Sequence, residues 1–179
     1  TRDWRYDQSA IASSFRHSLP HEGVATELHR EGGSVTSVPT PEPRTSSLVW
    51  VCSSAEAKTL MDQDETDFAA SLQEHFDETL GVISDVGPRA CFPVAGLTAK
   101  PLAANRTALI GEAAHIMAPI GAQGLNLGLR DAAALADCVA GALRHGRDPG
   151  GPYVLAQYVR ARQLDVLSRT IGVDLLGRS

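Results

Sequence analysis

The segment 109–136, LIGEAAHIMAPIGAQGLNLGLRDAAALA, gathers the residues of this 179-residue chain whose types and spacing suit chemistry. It reads as a strand ending in a small-residue turn, then a loop whose glycines let backbone come close to a ligand. The loop feeds a helix start, where the first four N–H groups have no intrahelical partner and the dipole presents about half a positive charge. Such an end binds anionic or electron-rich groups without a basic side chain. Glu112, at the strand end, is placed to accept hydrogen bonds from a polyol or ribose hydroxyl. The same spacing also suits a plain strand-to-helix junction whose glycines serve only turn geometry.

Other reactive side chains point less far. His115 has no carboxylate or cysteine at a spacing that makes a triad or a metal site, so a structural hydrogen-bonding role is expected. His17, His21, His29, His75 and His145 show no HExxH; His17 and His21 are four apart, but across the turn at Pro20 rather than on a helix face, and no metal is expected. Cys52, Cys91 and Cys138 are odd in number and form no CxxC pair, which fits reduced thiols in a cytoplasmic protein. Trp4, Tyr6 and Trp50 could line an aromatic pocket or simply pack. Arg160, Arg162 and Arg169 read as a solvated helix face, with anionic lipid as the other option. The acidic run 62–67 reads as a solvated helix start.

The elements that must position these residues fall into two lobes with a boundary near 100–106, giving a division into 1–104 and 105–179. Strands are expected at 6–17, 23–30, 34–40 and 45–52, the last (TSSLVWVC) being the strongest. Helices follow at 54–61 and 66–80, the second presenting Phe68, Leu72, Phe76 and Leu80 at helical spacing. Residues 82–94 return to extended chain, broken by Gly87-Pro88. A strand over 107–111 leads into the glycine-rich loop. Next comes a helix over 124–145 with the apolar stripe Leu125, Leu129, Ala132, Ala136, Val139 and Leu143, stopped by Gly146. Pro152 suits the first turn of a last helix running to 176.

Composition excludes several classes. A net charge of -5, with basic residues scattered rather than clustered, argues against a nucleic-acid partner. No apolar run approaches the roughly 20 residues that a membrane span needs. With 43% hydrophobic and 21% charged residues the chain is ordinary for a globular protein.

The run Gly111-Glu112-Ala113-Ala114-His115, Pro119, Gln123-Gly124-Leu125-Asn126 and Arg130-Asp131 resembles the second FAD fingerprint of class A flavoprotein monooxygenases. Their pattern is Gly-Asp-Ala-Ala-His, a Pro, Gly-x-Gly-x-Asn opening a helix, then Arg/Ser-Asp. Trp4-x-Tyr6-x-Gln8, Ser47-Leu48-Val49-Trp50, Leu80-Gly81-Val82-Ile83, Arg89, Phe92-Pro93 and Tyr158-x-x-x-Arg162 look like one branch. That branch is the ubiquinone-biosynthesis hydroxylases of the 2-octaprenyl-6-methoxyphenol hydroxylase type.

The resemblance implies a fold part α+β and part α/β. A mostly antiparallel substrate-domain sheet with helices would be joined to the C-terminal strand and helices of an FAD-binding domain. It implies FAD contacts at Gly111, Glu112, Pro119, Gly121, Gln123, Gly124, Leu125 and Asn126. Glu112 stands where the family has Asp at the ribityl chain, Pro119 at the reactive edge, and the Leu125 and Asn126 amides at the pyrimidine edge of the flavin. Gly121-Ala122 inverts the Ala-Gly of many relatives. No acid or base can be assigned as catalytic. The family's opening GxGxxG and its mid-chain Asp-Gly are missing from this sequence, so a C-terminal fragment, inactive alone, is expected.

For the parent, the resemblance implies hydroxylation of a polyprenyl phenol with NAD(P)H and oxygen, in the cytoplasm, with peripheral contact at the inner membrane face as an option. The alternatives are a flavin reductase or hydroxylase acting on another small aromatic, and a non-enzymatic binding or scaffold protein. Self-association through the exposed helix 125–143 is a further expectation.

Overall fold

The computed structural model describes residues 1–119 and 123–176, without the side chains of 77, 78, 167 and 169–176. The expected site residue Gly121 lies outside the described residues. The chain divides into two compact units, Tyr6–Val94 and, with Thr1–Arg5, Ala95–Ser179. Among the described residues no helix is long and apolar enough to cross a membrane.

The Tyr6–Val94 unit is an antiparallel sheet with two helices. Its strands are β1 (Arg2–His17), β2 (Thr26–Arg30), β3 (Gly33–Pro39), β4 (Thr45–Ser53) and the short β5 (Ile83–Ser84). They pair in the order β2-β3-β4-β1, with β5 on β1. Alternation selects the buried face: Ile11 and Phe15 of β1, Val35 of β3, and Leu48 and Trp50 of β4 are all buried. Register puts Trp50 opposite both Ile11 and Val35. The close approach of β4 requires glycine at Gly33, because a Cβ there would sit 1.9 Å from the Val51 carbonyl oxygen.

Helix α1 (Ser54–Asp62) starts where the Ser53 hydroxyl accepts from the Glu56 N–H. Helix α2 (Glu65–Leu80) starts where the Asp64 carboxylate accepts from the Asp67 N–H. Phe68, Leu72, Phe76 and Leu80 are all buried against the sheet residues, as their spacing predicts. Arg89 donates to the Leu60 and Gln63 carbonyls at 2.8 and 2.6 Å, closing the end of α1, and lies over the Phe68 ring. Gln73 ties the end of α2 to β5 by donating to the Gly81 carbonyl and accepting from the Ile83 N–H.

Strand β6 (Ala90–Thr98) leads into the second unit, where its end pairs with β9 (His115–Ile116). The hairpin β7 (Ala103–Ala104) and β8 (Thr107–Ala108) turns at Asn105 and Arg106, both at positive φ. The strand expected over 107–111 is therefore shorter: the chain leaves β8 at Ala108 and makes a 3-10 turn over Gly111–Ala113. The small residues there favour a tight turn over continued pairing. Helices α3 (Gln123–Arg144) and α4 (Pro152–Leu176) pack together, with Leu127 and Ala142 buried on the first and Val154, Tyr158 and Val166 on the second. Gly146, at φ 60°, ends α3 with Arg147 N–H to the Ala142 carbonyl and Gly146 N–H to the Leu143 carbonyl.

Phe76 is fully buried and stacks on Phe15. Phe76→Ala is expected to cost about 3–5 kcal/mol, read as a lower urea midpoint with an unchanged m-value.

Candidate functional site

The glycine-rich segment is organised by one carboxylate. Asp131, in the third turn of α3, is completely buried. Its Oδ2 accepts from the Gly111 N–H at 2.9 Å and is bonded to His115 Nε2 at 2.6 Å. Its Oδ1 accepts from Arg162 Nε at 2.7 Å. Arg162, 5% exposed, also donates Nη1 to Asp165 at 2.8 Å. Burial works against the guanidinium charge, but the two carboxylates outweigh it and its pKa is raised. The Tyr158 hydroxyl, one turn earlier on α4, donates to the Leu109 carbonyl at 2.7 Å. Burial, then the Asp131 charge, pushes the Tyr158 phenol up to about 12.

These contacts correct two expectations. A carboxylate does reach His115, brought by the fold from sixteen residues away, and the role is the structural bonding expected of it. Arg162 does not lie on a solvated face; it is the buried cation that compensates Asp131. Spacing could not show either pairing, because both join separate elements.

The segment's backbone comes close to α3. Gly111 adopts φ 57°, and a Cβ on Gly128 would meet the Gly111 Cα at 3.3 Å. This approach sets the 3-10 turn against the first turns of α3. Glu112 on that turn is exposed, as are Pro119, Gly124, Leu125 and Asn126, while Gln123 is half-buried. Among the described residues no other part of the chain comes within 4 Å of a Cβ added to Gly124, and Leu125 is 75% exposed. The expected site residues that are described thus lie within one unit, around the start of α3. They fit an FAD: an exposed carboxylate for ribityl hydroxyls and an open, amide-rich helix start for the ring's electron-rich edge.

The stripe Leu125, Leu129 and Leu143 is exposed, and α3 instead buries Leu127, Asp131 and Ala142.

In the other unit, Trp50 is buried against Phe68 and His75. With Arg30, Ser34, Cys52, Glu74 and His75 it lines a cleft of about 300 Å³. Burial, then the Arg30 charge, lowers the His75 pKa, and its buried Nδ1 has no hydrogen-bond partner among the described residues. Trp4, which belongs to the same unit as α3 and α4, lies against Gly96, where a Cβ would come within 2.1 Å of the indole. Burial, then Glu56, pushes the Cys52 thiol up to about 12. Among the described residues no group of three His, Cys, Asp or Glu side chains could hold a metal ion.

The sequence matches the FAD binding domain family over residues 8–167, and the chain belongs to that family. It is 38% identical over 173 residues to ubiquinone hydroxylase UbiL of Rhodospirillum rubrum, covering 97% of this chain and 40% of that protein. It is 30% identical over 212 residues to the mitochondrial ubiquinone biosynthesis monooxygenase COQ6 of Danio rerio, covering 99% of this chain and 44% of that one. The chain thus spans less than half the length of these relatives. Its fold resembles that of PqsL, a probable FAD-dependent monooxygenase from Pseudomonas aeruginosa. The TM-score there is 0.68 at 20% identity, covering 97% of this chain and 47% of that one. It also resembles the flavin-dependent halogenase CmlS, with a TM-score of 0.68 at 22% identity, covering 89% of this chain and 30% of that one. These likenesses bear out the partial flavoprotein monooxygenase fold.

A depressed His75 pKa stabilises the fold above the ordinary value of 6.5, and that contribution is lost as pH falls below it. Between pH 7 and 5 the wild-type chain is expected to lose stability more steeply than His75→Gln. Parallel denaturation curves for the two would contradict the assignment.

Proposed function

We propose that this chain is part of an FAD-dependent monooxygenase that hydroxylates a phenolic ring, a polyprenylated precursor in ubiquinone biosynthesis, using NAD(P)H and oxygen. The observation that carries the reading is the arrangement around α3. The Glu112 turn and the open helix start adjoin each other, within a chain of the FAD binding domain family. The names of the relatives, ubiquinone hydroxylase and ubiquinone biosynthesis monooxygenase, support the substrate class.

In this reading residues 105–179 are the C-terminal part of the FAD-binding domain and 1–104 a part of the substrate lobe. Gly111, Glu112, Pro119, Gly121, Gln123, Gly124, Leu125 and Asn126 would hold the flavin. Bound FAD supplies the redox chemistry; the protein supplies position, field and exclusion of water. Glu112 would accept from ribityl hydroxyls. The amides of the first turn of α3, which have no partner within the helix, would favour electron density on the flavin, as fixed dipoles do without reorganising. A polyprenylated substrate partitions into lipid, so peripheral contact of the intact protein with the inner membrane face accompanies the reading.

The test uses the intact protein that carries this chain. It is expected to purify with FAD and to take up oxygen with NAD(P)H faster on prenylated than on unprenylated phenols. Equal turnover of small soluble phenols would move the reading to another aromatic, and failure to hold any flavin would end it. Residues 1–179 alone are expected not to oxidise NAD(P)H.

With Leu125 75%, Leu129 60% and Leu143 60% exposed on one helix, the isolated chain is also expected to self-associate. Its light-scattering mass should rise with concentration; a monomer throughout would contradict that.

A further inference from the structure

Helix α4 lies outside the glycine-rich segment, yet it grips that segment on both sides of Glu112. Tyr158, Arg162 and Asp165 recur at helical spacing along α4. Before Glu112, the Tyr158 hydroxyl holds the Leu109 carbonyl. Around Glu112, Arg162 holds Asp131, whose other oxygen holds the Gly111 N–H and the His115 ring. Asp165 holds the second arm of Arg162 and lies 3.7 Å from Arg130. Four of these side chains, Tyr158, Asp131, Arg162 and His115, are between 0% and 5% exposed.

Burying an ion pair is a poor way to add stability, since well-packed apolar residues often do as well or better. What this pair does provide is geometry. A planar guanidinium bonded to two carboxylates fixes orientation as well as distance. A carboxylate with a backbone amide on its second oxygen transmits that orientation to the turn at Gly111.

We propose that Tyr158 and Arg162 are positioning residues for the flavin site. They act through the Leu109 carbonyl and through Asp131, and they set the backbone over 109–115, hence the placement of Glu112 relative to the start of α3. This rests on the FAD reading above. The rival is that the contacts serve only to pack α3 on α4.

The two roles differ in what a mild variant does to a folded protein. Tyr158→Phe removes one hydrogen bond and no volume from the packed ring. Arg162→Lys keeps the charge, but a single ammonium cannot span Asp131 and Asp165 as the fork does. Arg162→Met removes the charge as well. The intact protein and each variant would be titrated with FAD well below their melting temperatures, following flavin fluorescence and the visible spectrum.

Positioning predicts a Kd for FAD raised roughly threefold to tenfold in Tyr158→Phe and roughly tenfold or more in Arg162→Lys. Arg162→Met should be weaker still, and the absorption of the bound flavin should shift in all three. Unchanged Kd and spectrum in Tyr158→Phe and Arg162→Lys, with only a lower melting temperature, would overturn the proposal. Should Arg162→Lys fail to fold, Tyr158→Phe decides it alone. A wild-type protein that binds no FAD sinks the FAD reading itself, whereas a wild-type protein that binds FAD beside indifferent variants sinks only this inference.

Discussion

The second unit of this chain is built around a buried carboxylate that cannot be left alone. An ionised Asp131 with no access to water would be untenable without compensation, and the compensation dictates much of the surrounding structure. Arg162 must come from α4, which fixes how α3 and α4 face each other. The Gly111 N–H must reach Oδ2, which needs backbone within van der Waals distance of α3 at Gly128. Glycine suits both positions: a Cβ on Gly128 would crowd the Gly111 Cα at 3.3 Å, and Gly111 takes a left-handed conformation. Glu112 and the open start of α3 then adjoin each other as a consequence of satisfying Asp131.

Much of this was legible in the residues, and what was not has physical causes. The stripe Phe68, Leu72, Phe76 and Leu80 identifies α2 because helical period and burial coincide there. Pro152 and Gly146 mark helix ends because each favours one backbone conformation. The β7–β8 hairpin is hidden, since its turn needs positive φ at two residues and places Arg106 where Gly is usual. That arginine is held by bonds of 2.6 and 3.0 Å to Asp148, a partner 42 residues away. The same limit hid the Asp131 cluster: motif positions were readable, but long-range pairing of polar side chains leaves no period.

The Tyr6–Val94 unit shows a similar use of polar groups inside an apolar frame. Arg89 closes α1 and covers Phe68, while Gln73 bridges α2 to β5 by both faces of its amide. His17 is buried between the Leu19 carbonyl and the Ser46 hydroxyl. These bonds pin the ends of elements whose middles are held by burial. Register itself is set by the apolar alternation, since a slip by one residue would move Ile11 and Phe15 to the opposite face.

The central claim is that the amide-rich start of α3, held by Asp131, faces the flavin. The most direct measurement is a crystal structure of the intact protein with FAD bound. The account predicts the Leu125 and Asn126 amides directed at the pyrimidine edge of the isoalloxazine, with Glu112 at the ribityl chain and the Asp131–Arg162 pair intact. A flavin seated elsewhere, or with that helix end turned away from the ring, would contradict it.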